Sequence, residues 1–407
     1  MNKYRFLIIF IIISFVFAGC QSKGKYYDYL CGKSPDGETY RLLYIGDKNI
    51  NKEEIIVKSK YQGKTITALD YRAFWNSTAK RIVLPDTIEK ISSDNFMGCS
   101  NLTSIHFGAS LQDIIPGTFR ECPNLSEITI SSENPYYYVE ENCLIERLTG
   151  ELVLGCVNSE IPQNVRSIQA CAFNGRKELT EITLPDGLLS IGRSAFENTG
   201  LTKIEFPEGL IQIGDSAFAD TYLCSVRLPD SLSEIGVSVF SACINLQSIY
   251  FGACITWNLA AAVPLCVNLE EVIIDETNPV FRAENGCIIL KEDNTLLRSL
   301  RNSNFPDGIL TLEHNSIRSD CLGRTDVVLP NSVITINELA IRGNFTEIYI
   351  PASVQTISEG GIFLTPDADI KPTIYCEAAQ KPQGWHDRWV ISDNEINIVW
   401  GQNEKIG

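Results

Sequence analysis

A repeat of about 22 residues runs through most of this chain and restricts its fold more than any other feature. Four copies carry it: Leu179-x-x-Ile182-x-Leu184-Pro185, Leu201-x-x-Ile204-x-Phe206-Pro207, Leu223-x-x-Val226-x-Leu228-Pro229 and Leu246-x-x-Ile249-x-Phe251-Gly252. The first three continue into Leu188-x-x-Ile191-Gly192, Leu210-x-x-Ile213-Gly214 and Leu232-x-x-Ile235-Gly236. They then reach an aromatic at Phe196, Phe218 and Phe240. Similarity at a fixed period builds a solenoid, in which each unit is too small to bury a core alone and stacks on its neighbours. Such a fold displays a long surface in place of a pocket, so it points to binding before catalysis.

Within a unit, Ile and Leu two residues apart face the same way, as in a strand. The Pro that follows ends the strand, because it has no N–H to give a ladder. The next stretch places Phe and Cys three apart on one face, which suits a short helical turn. Tracked through its aromatic slot, the repeat runs Phe74, Phe96, Phe119, Phe173, Phe196, Phe218, Phe240 and Val263. Weaker copies lie near Cys321, Ile341 and Phe363, giving about eleven units. The expected organisation is a solenoid over 61–373, an N-terminal linker and β cap over 20–60, and a C-terminal cap over 374–407. In the C-terminal cap Trp385, Trp389 and Trp400 read as packing residues, not a sugar platform.

Two inserts interrupt the rhythm, near 133–156 and 277–300. Each starts with Asn-Pro (Asn134-Pro135, Asn278-Pro279), and each reaches a Cys nine residues after the Asn, at Cys143 and Cys287. Apolar runs on either side of polar turns at 147–150 and 291–294 read as β-hairpins. They are expected on one side of the stack. Tyr136, Tyr137 and Tyr138 would form either a sticky hairpin tip or, the plainer reading, alternate contacts with the solenoid flank.

Residues 1–19 read as a targeting segment. Lys3 and Arg5 precede an apolar run from Phe6 to Phe17, broken only by Ser14 and too short to span a bilayer. Its end, Phe17-Ala18-Gly19-Cys20, resembles the bacterial lipobox, with Phe17 where Leu is usual. That resemblance implies cleavage before Cys20 and lipidation of Cys20, which would hold the protein to a membrane. The expected location is the bacterial cell envelope, lipid-anchored at the outer membrane. The stretch 21–25 has none of the acidic residues that follow the lipidated Cys in some surface-exported lipoproteins. Surface exposure and a periplasm-facing position therefore both stay open.

The net charge is −16, and losing Lys3 and Arg5 takes it to −18. With no Lys/Arg cluster to offset this, nucleic acid is not an expected partner. Cys99, Cys122, Cys243 and Cys266 share one repeat slot, three residues after Phe96, Phe119, Phe240 and Val263. Buried free thiols are the leading reading for these four, with disulfides the alternative in a secreted chain. No C-x-x-C occurs, so no zinc site of that type is expected.

The motif Leu-Pro-x-x-Leu-x-x-Ile-Gly-x-x-Ala-Phe, seen at Leu184 to Phe196 and Phe206 to Phe218, resembles the BspA-like leucine-rich-repeat proteins of bacterial surfaces. The Asn-Pro inserts and the tail Lys381-Pro-x-Gly-Trp385-x-x-x-Trp389 add to the likeness, which covers roughly residues 38–401. The resemblance implies a β-rich solenoid: a curved right-handed superhelix with a parallel sheet, short helical turns and two β-hairpin inserts. It also implies non-catalytic binding or adhesion, and it supplies no shared binding residues to carry over.

The sequence agrees with a non-catalytic role. His106, His314 and His386 stand apart and belong to no catalytic signature, and no cofactor-binding motif occurs. A carbohydrate-active or hydrolytic enzyme on a solenoid scaffold would need two converging carboxylates. A purely structural envelope component would need no outward aromatic patch. The candidate for function is the outward side of the sheet, where one residue lies between each buried Ile and Leu. Down the stack this row reads His106, Thr129, Thr183, Glu205, Arg227, Tyr250, Ile273, Val328 and Tyr349. It turns apolar and aromatic towards its end, so Arg227, Tyr250, Ile273, Val328 and Tyr349 are the candidate contacts for a protein or glycan partner.

Overall fold

The computed structural model describes residues 30–45 and 52–402. The targeting segment and Cys20 lie outside the described residues. The chain is a β-solenoid of stacked parallel strands with almost no helix.

The Leu-x-x-Ile-x-Leu segments form the expected parallel ladder, in three blocks among the described residues. The first joins Glu54–Ile56, Arg81–Val83, Ser104–Phe107 and Glu127–Ile130. The second joins Ser225–Arg227, Ser248–Phe251 and Glu271–Ile274. The third joins Asp326–Val328, Glu347–Ile350, Thr373–Cys376 and Asn397–Trp400. The units at Ile182 and Ile204, whose motif is among the clearest, carry no strand. Pro turns the chain after this ladder. Leu188 N donates to Pro185 O at 3.0 Å, Leu210 N to Pro207 O at 3.1 Å and Leu232 N to Pro229 O at 3.2 Å.

That turn leads into a second parallel ladder, which sequence reasoning missed. Its strands in the regular units are two residues long: Ser190–Ile191, Gln212–Ile213 and Glu234–Ile235. Ile191 sits beside Ile213, and Ile213 beside Ile235. The Gly after each Ile follows from how closely the coils stack. A Cβ on Gly214 would lie 2.6 Å from the Arg193 backbone nitrogen of the coil before it.

The Ala-Phe stretch, expected as a short helical turn, is a string of turns whose N–H groups bond to the next coil. Phe196 N donates to Ala217 O at 2.8 Å and Phe218 N to Val239 O at 2.9 Å. Left-handed residues on either side of the Phe, such as Ser216 and Asp220, aim these groups along the stack. The rings then pile up at coil spacing, with Phe173–Phe196 at 5.0 Å and Phe196–Phe218 at 5.2 Å.

The shared Cys slot has a specific use. Cys99, Cys122, Cys243 and Cys266 donate Sγ–H to Phe74 O, Phe96 O, Phe218 O and Phe240 O at 3.1, 3.0, 3.2 and 3.0 Å. Each thiol thus gives the aromatic-slot carbonyl of the preceding coil a second donor, beside a local N–H or hydroxyl, and ties the two coils together. Burial pushes the Cys266 thiol well above its ordinary value, so the proton stays available to donate. All the described cysteines are free.

The inserts are walls inside the stack, not decorations on its side. Tyr137–Glu140, Cys143–Glu146 and Glu151–Leu154 form an antiparallel meander, whose last strand joins the second ladder beside Ser167–Ile168. Phe281–Glu284, Cys287–Leu290 and Thr295–Ser299 repeat this beside Thr311–Leu312. Among the described residues the solenoid holds three apolar cores, and each meander divides two of them. Leu144 and Val153 face the first core, while Cys143, Ile145 and Leu152 face the second. Ile288 faces the second, while Cys287 and Ile289 face the third. Tyr137 is buried in the first core and Tyr138 packs against the second, while Tyr136 is 46% exposed, so two adjacent tyrosines, and not alternate ones, pack against the cores that this wall divides. Trp385 and Trp389 close the third core, with Trp385 Nε1 donating to Val354 O at 3.1 Å.

The Asn of each insert is fully used. Asn134 Nδ2 donates to Gly108 O at 3.1 Å and Leu111 O at 2.9 Å, and its Oδ1 accepts from Tyr136 N at 2.9 Å and Tyr137 N at 2.8 Å. Asn278 repeats the pattern with Gly252, Ile255, Val280 and Phe281. Each insert also opens a gap in the carbonyl-to-thiol sequence, and a buried arginine spans it. Arg176 Nη1 donates to Phe119 O at 3.0 Å, and Arg298 Nη2 donates to Val263 O at 3.2 Å.

Candidate binding face

The period-2 rule places the outward row correctly in the middle block. Arg227, Tyr250 and Ile273 are register neighbours across three adjacent strands. Their backbones are held by Val226, Ile249 and Val272, which point the other way into the core. The Arg227 guanidinium carbon lies 3.8 Å from the Tyr250 ring centroid, a cation–π contact. Tyr250 Oη donates to Asp275 Oδ2 at 2.9 Å. Burial, then this hydrogen bond, raises the Tyr250 hydroxyl above its ordinary pKa. Ile273 is 46% exposed at the end of the row.

Val328 and Tyr349 do not continue this row. The insert at 277–300 intervenes, and they belong to the third block, where Val328, Tyr349, Tyr375 and Val399 are neighbours. Tyr349 is only 8% exposed because Tyr375 stacks on it with ring centroids 4.6 Å apart. Its hydroxyl donates to Glu347 Oε2 at 3.2 Å. Burial and Glu347 push that hydroxyl up to about 12. The five candidates therefore form two patches. Arg227, Tyr250 and Ile273 make an accessible one, and Val328 and Tyr349 a largely covered one.

A shallow groove of about 460 Å³ runs along the second ladder, with Gly192, Gly214 and Gly236 on its floor and the half-exposed Trp257 at its rim. Sequence reasoning missed it along with the ladder that forms it. The recurring Ile-Gly was the available signal, since Gly in a strand marks a close backbone approach.

The histidines have local roles. His106 Nδ1 shares a hydrogen bond with Thr129 Oγ1 at 2.9 Å, His314 Nδ1 donates to Glu338 O at 3.2 Å, and His386 Nδ1 accepts from Arg388 N at 3.1 Å. Among the described residues no group of three or more His, Cys, Asp and Glu side chains is placed to hold a metal ion, and no helix is long and apolar enough to cross a membrane.

The model of the BspA type leucine-rich-repeat region matches in six copies, over residues 51–147, 155–277 and 295–365. No curated protein matches the chain. Among solved structures, a leucine-rich cell surface protein from Faecalibacterium prausnitzii is 15% identical, with a TM-score of 0.43 and coverage of 94% of this chain and 97% of that one. A leucine-rich-repeat protein from Bacteroides ovatus is 16% identical, with a TM-score of 0.39 and coverage of 93% and 100%. The pneumococcal vaccine antigen PcpA is 14% identical, with a TM-score of 0.34 and coverage of 95% and 99%. Matched over more than half its length and built of the stacked coils just described, the chain belongs to the BspA-type leucine-rich-repeat family.

Proposed function

We propose that this chain is a lipid-anchored protein of the bacterial cell envelope that binds a macromolecule without catalysis, through the outward face of its middle ladder block. The observation that carries the reading is the row Arg227, Tyr250 and Ile273. Three adjacent strands of fixed register display a cation stacked on an aromatic next to an exposed aliphatic side chain. Aromatic and arginine anchors on a preorganised surface supply most of the energy at interfaces. The partner is a protein or a glycan, and the lipid on Cys20 supplies the membrane attachment.

Two measurements test the two halves of this reading. Full-length protein is screened against extracellular-matrix proteins and a glycan array, and the double variant Tyr250→Ala/Ile273→Ala is compared on whatever binds. The expected loss is about tenfold or more in affinity, which is what truncating an anchor of roughly 1.4 kcal/mol gives. Unchanged affinity in a folded double variant would remove this face from the function. Separately, Cys20→Ser is expected to release the protein from the membrane fraction of expressing cells. Continued membrane association of that variant would sink the anchor.

A further inference from the structure

The last third of the solenoid holds a feature at odds with the chain's net charge of −16. The strand Ile317–Arg318 pairs in parallel with Ile341–Gly343, and the register sets Arg318 directly beside Arg342. Adjacent strands lie about 4.8 Å apart, so this pairing juxtaposes two like charges, an unfavourable arrangement on a sheet. Arg318 has a carboxylate partner. Its Nε and Nη2 donate to Asp320 Oδ1 and Oδ2 at 3.0 and 2.5 Å. Arg342 is exposed and makes no ion pair among the described residues, its guanidinium lying 5.7 Å from the Phe363 ring centroid. Arg324, the third arginine, likewise has no ion pair among them. Its Nε is sealed from solvent without a hydrogen-bond partner.

These three arginines line one groove of about 470 Å³, together with the hydroxyls of Ser319, Thr325 and Thr365. Gly343 shapes its floor. With φ at +132° and a Cβ that would meet Ser319 Oγ at 2.0 Å, only glycine lets the chain lie against Ser319, whose Oγ accepts from Asn344 N at 3.0 Å. Of the charged groups around the groove, three are guanidinium and one is carboxylate, and that carboxylate is already held by Arg318.

We propose that this groove binds a sulfate or phosphate ester carried on a larger polymer. Guanidinium forks match the paired oxygens of such a group, and surrounding hydroxyls add donors without adding charge. The groove is open and far larger than one oxyanion, so the ester is pendant on a chain that extends beyond it. The site lies apart from the Tyr250 face and does not rest on that reading.

The test uses full-length protein and three probes: dextran sulfate, phosphorylated dextran and neutral dextran. Binding is measured at about 0.15 M salt, where the roughly 8 Å screening length lets a ligand in the groove feel its arginines and not the distant carboxylates. At least one charged dextran is expected to bind and the neutral one not, and the charged dextran that binds names the ester. Arg324→Gln and Arg342→Gln are each expected to weaken binding by about tenfold, and Arg342→Lys, which keeps charge but loses the fork, by less. Arg227→Gln, on the other face, is expected to leave it unchanged. Because the Arg342 side chain is exposed, its substitution tests the site without disturbing the core. The proposal is overturned if neither charged dextran outbinds the neutral one, or if Arg227→Gln loses as much as Arg342→Gln.

Discussion

Asn134→Leu is expected to lower stability by about 4 kcal/mol, although leucine keeps the same branching at Cγ and is more apolar. The amide is 2% exposed, donates twice to Gly108 O and Leu111 O and accepts twice from Tyr136 N and Tyr137 N. Leucine leaves four backbone groups without that partner, and each one that stays dry costs about 1–3 kcal/mol. Asn134→Asp is expected to be no better, because a carboxylate turns acceptor oxygens towards the Gly108 and Leu111 carbonyls. The check is the urea midpoint together with amide exchange at Tyr136 and Tyr137. A solenoid need not unfold in one step, so loss of protection at those two amides ties the change to the insert. A midpoint and exchange rates matching the parent would show that water or local rearrangement replaces the amide. Asn278→Leu tests the same device at the second insert.

Much of this architecture is legible in the sequence, for reasons that can be named residue by residue. Ile and Leu spaced two apart mark the first ladder because strand geometry has period 2, and the same rule puts Arg227, Tyr250 and Ile273 on one outward row. The second ladder was not legible. Its regular strands, such as Gln212–Ile213, pair only two residues, too few for any alternation to show. The walls between cores did leave a trace. The unbroken run Cys143, Leu144, Ile145 is the mark of a strand buried on both faces, and the structure sends Leu144 one way and its neighbours the other. The split between Ile273 and Val328 follows from the insert that starts at Asn278, and the covering of Tyr349 from Tyr375, a residue that the sequence places in the C-terminal cap and the structure pairs with the ladder. The arginine groove was hidden by averaging, since a net charge of −16 says nothing about where Arg318 and Arg342 stand in register.

Arg176 allows the most direct test of how the solenoid survives its own interruptions. It occupies the slot three residues after Phe173, where the next two coils hold Thr199 and Thr221 and the coils of Phe96, Phe119 and Phe240 hold Cys99, Cys122 and Cys243. In those last three coils a thiol reaches the aromatic-slot carbonyl of the preceding coil. Across the insert the same carbonyl, Phe119 O, is reached by the longer guanidinium at 3.0 Å, which also donates to Asn174 O at 2.8 Å and Gly155 O at 3.3 Å. The side chain is wholly buried with no carboxylate among its partners, and burial lowers its pKa from the ordinary arginine value. Two opposed effects therefore meet at one residue. Burying the cation is costly, while the carbonyls it satisfies would be costly to leave bare. Because its partners are three fixed carbonyls in one seam, the second effect is expected to win. Arg176→Met, close in volume, is expected to cost about 3 kcal/mol through the orphaned carbonyls, and Arg176→Ala about 5 kcal/mol by adding a void. Arg176→Cys, which supplies the thiol of those three coils, is expected to behave like Ala, since a thiol cannot span the gap that the insert opens. Denaturation midpoints of the three variants decide the matter. If the Met variant proves more stable than the parent, the buried charge outweighs its hydrogen bonds, and the arginine is tolerated at the seam and not what closes it.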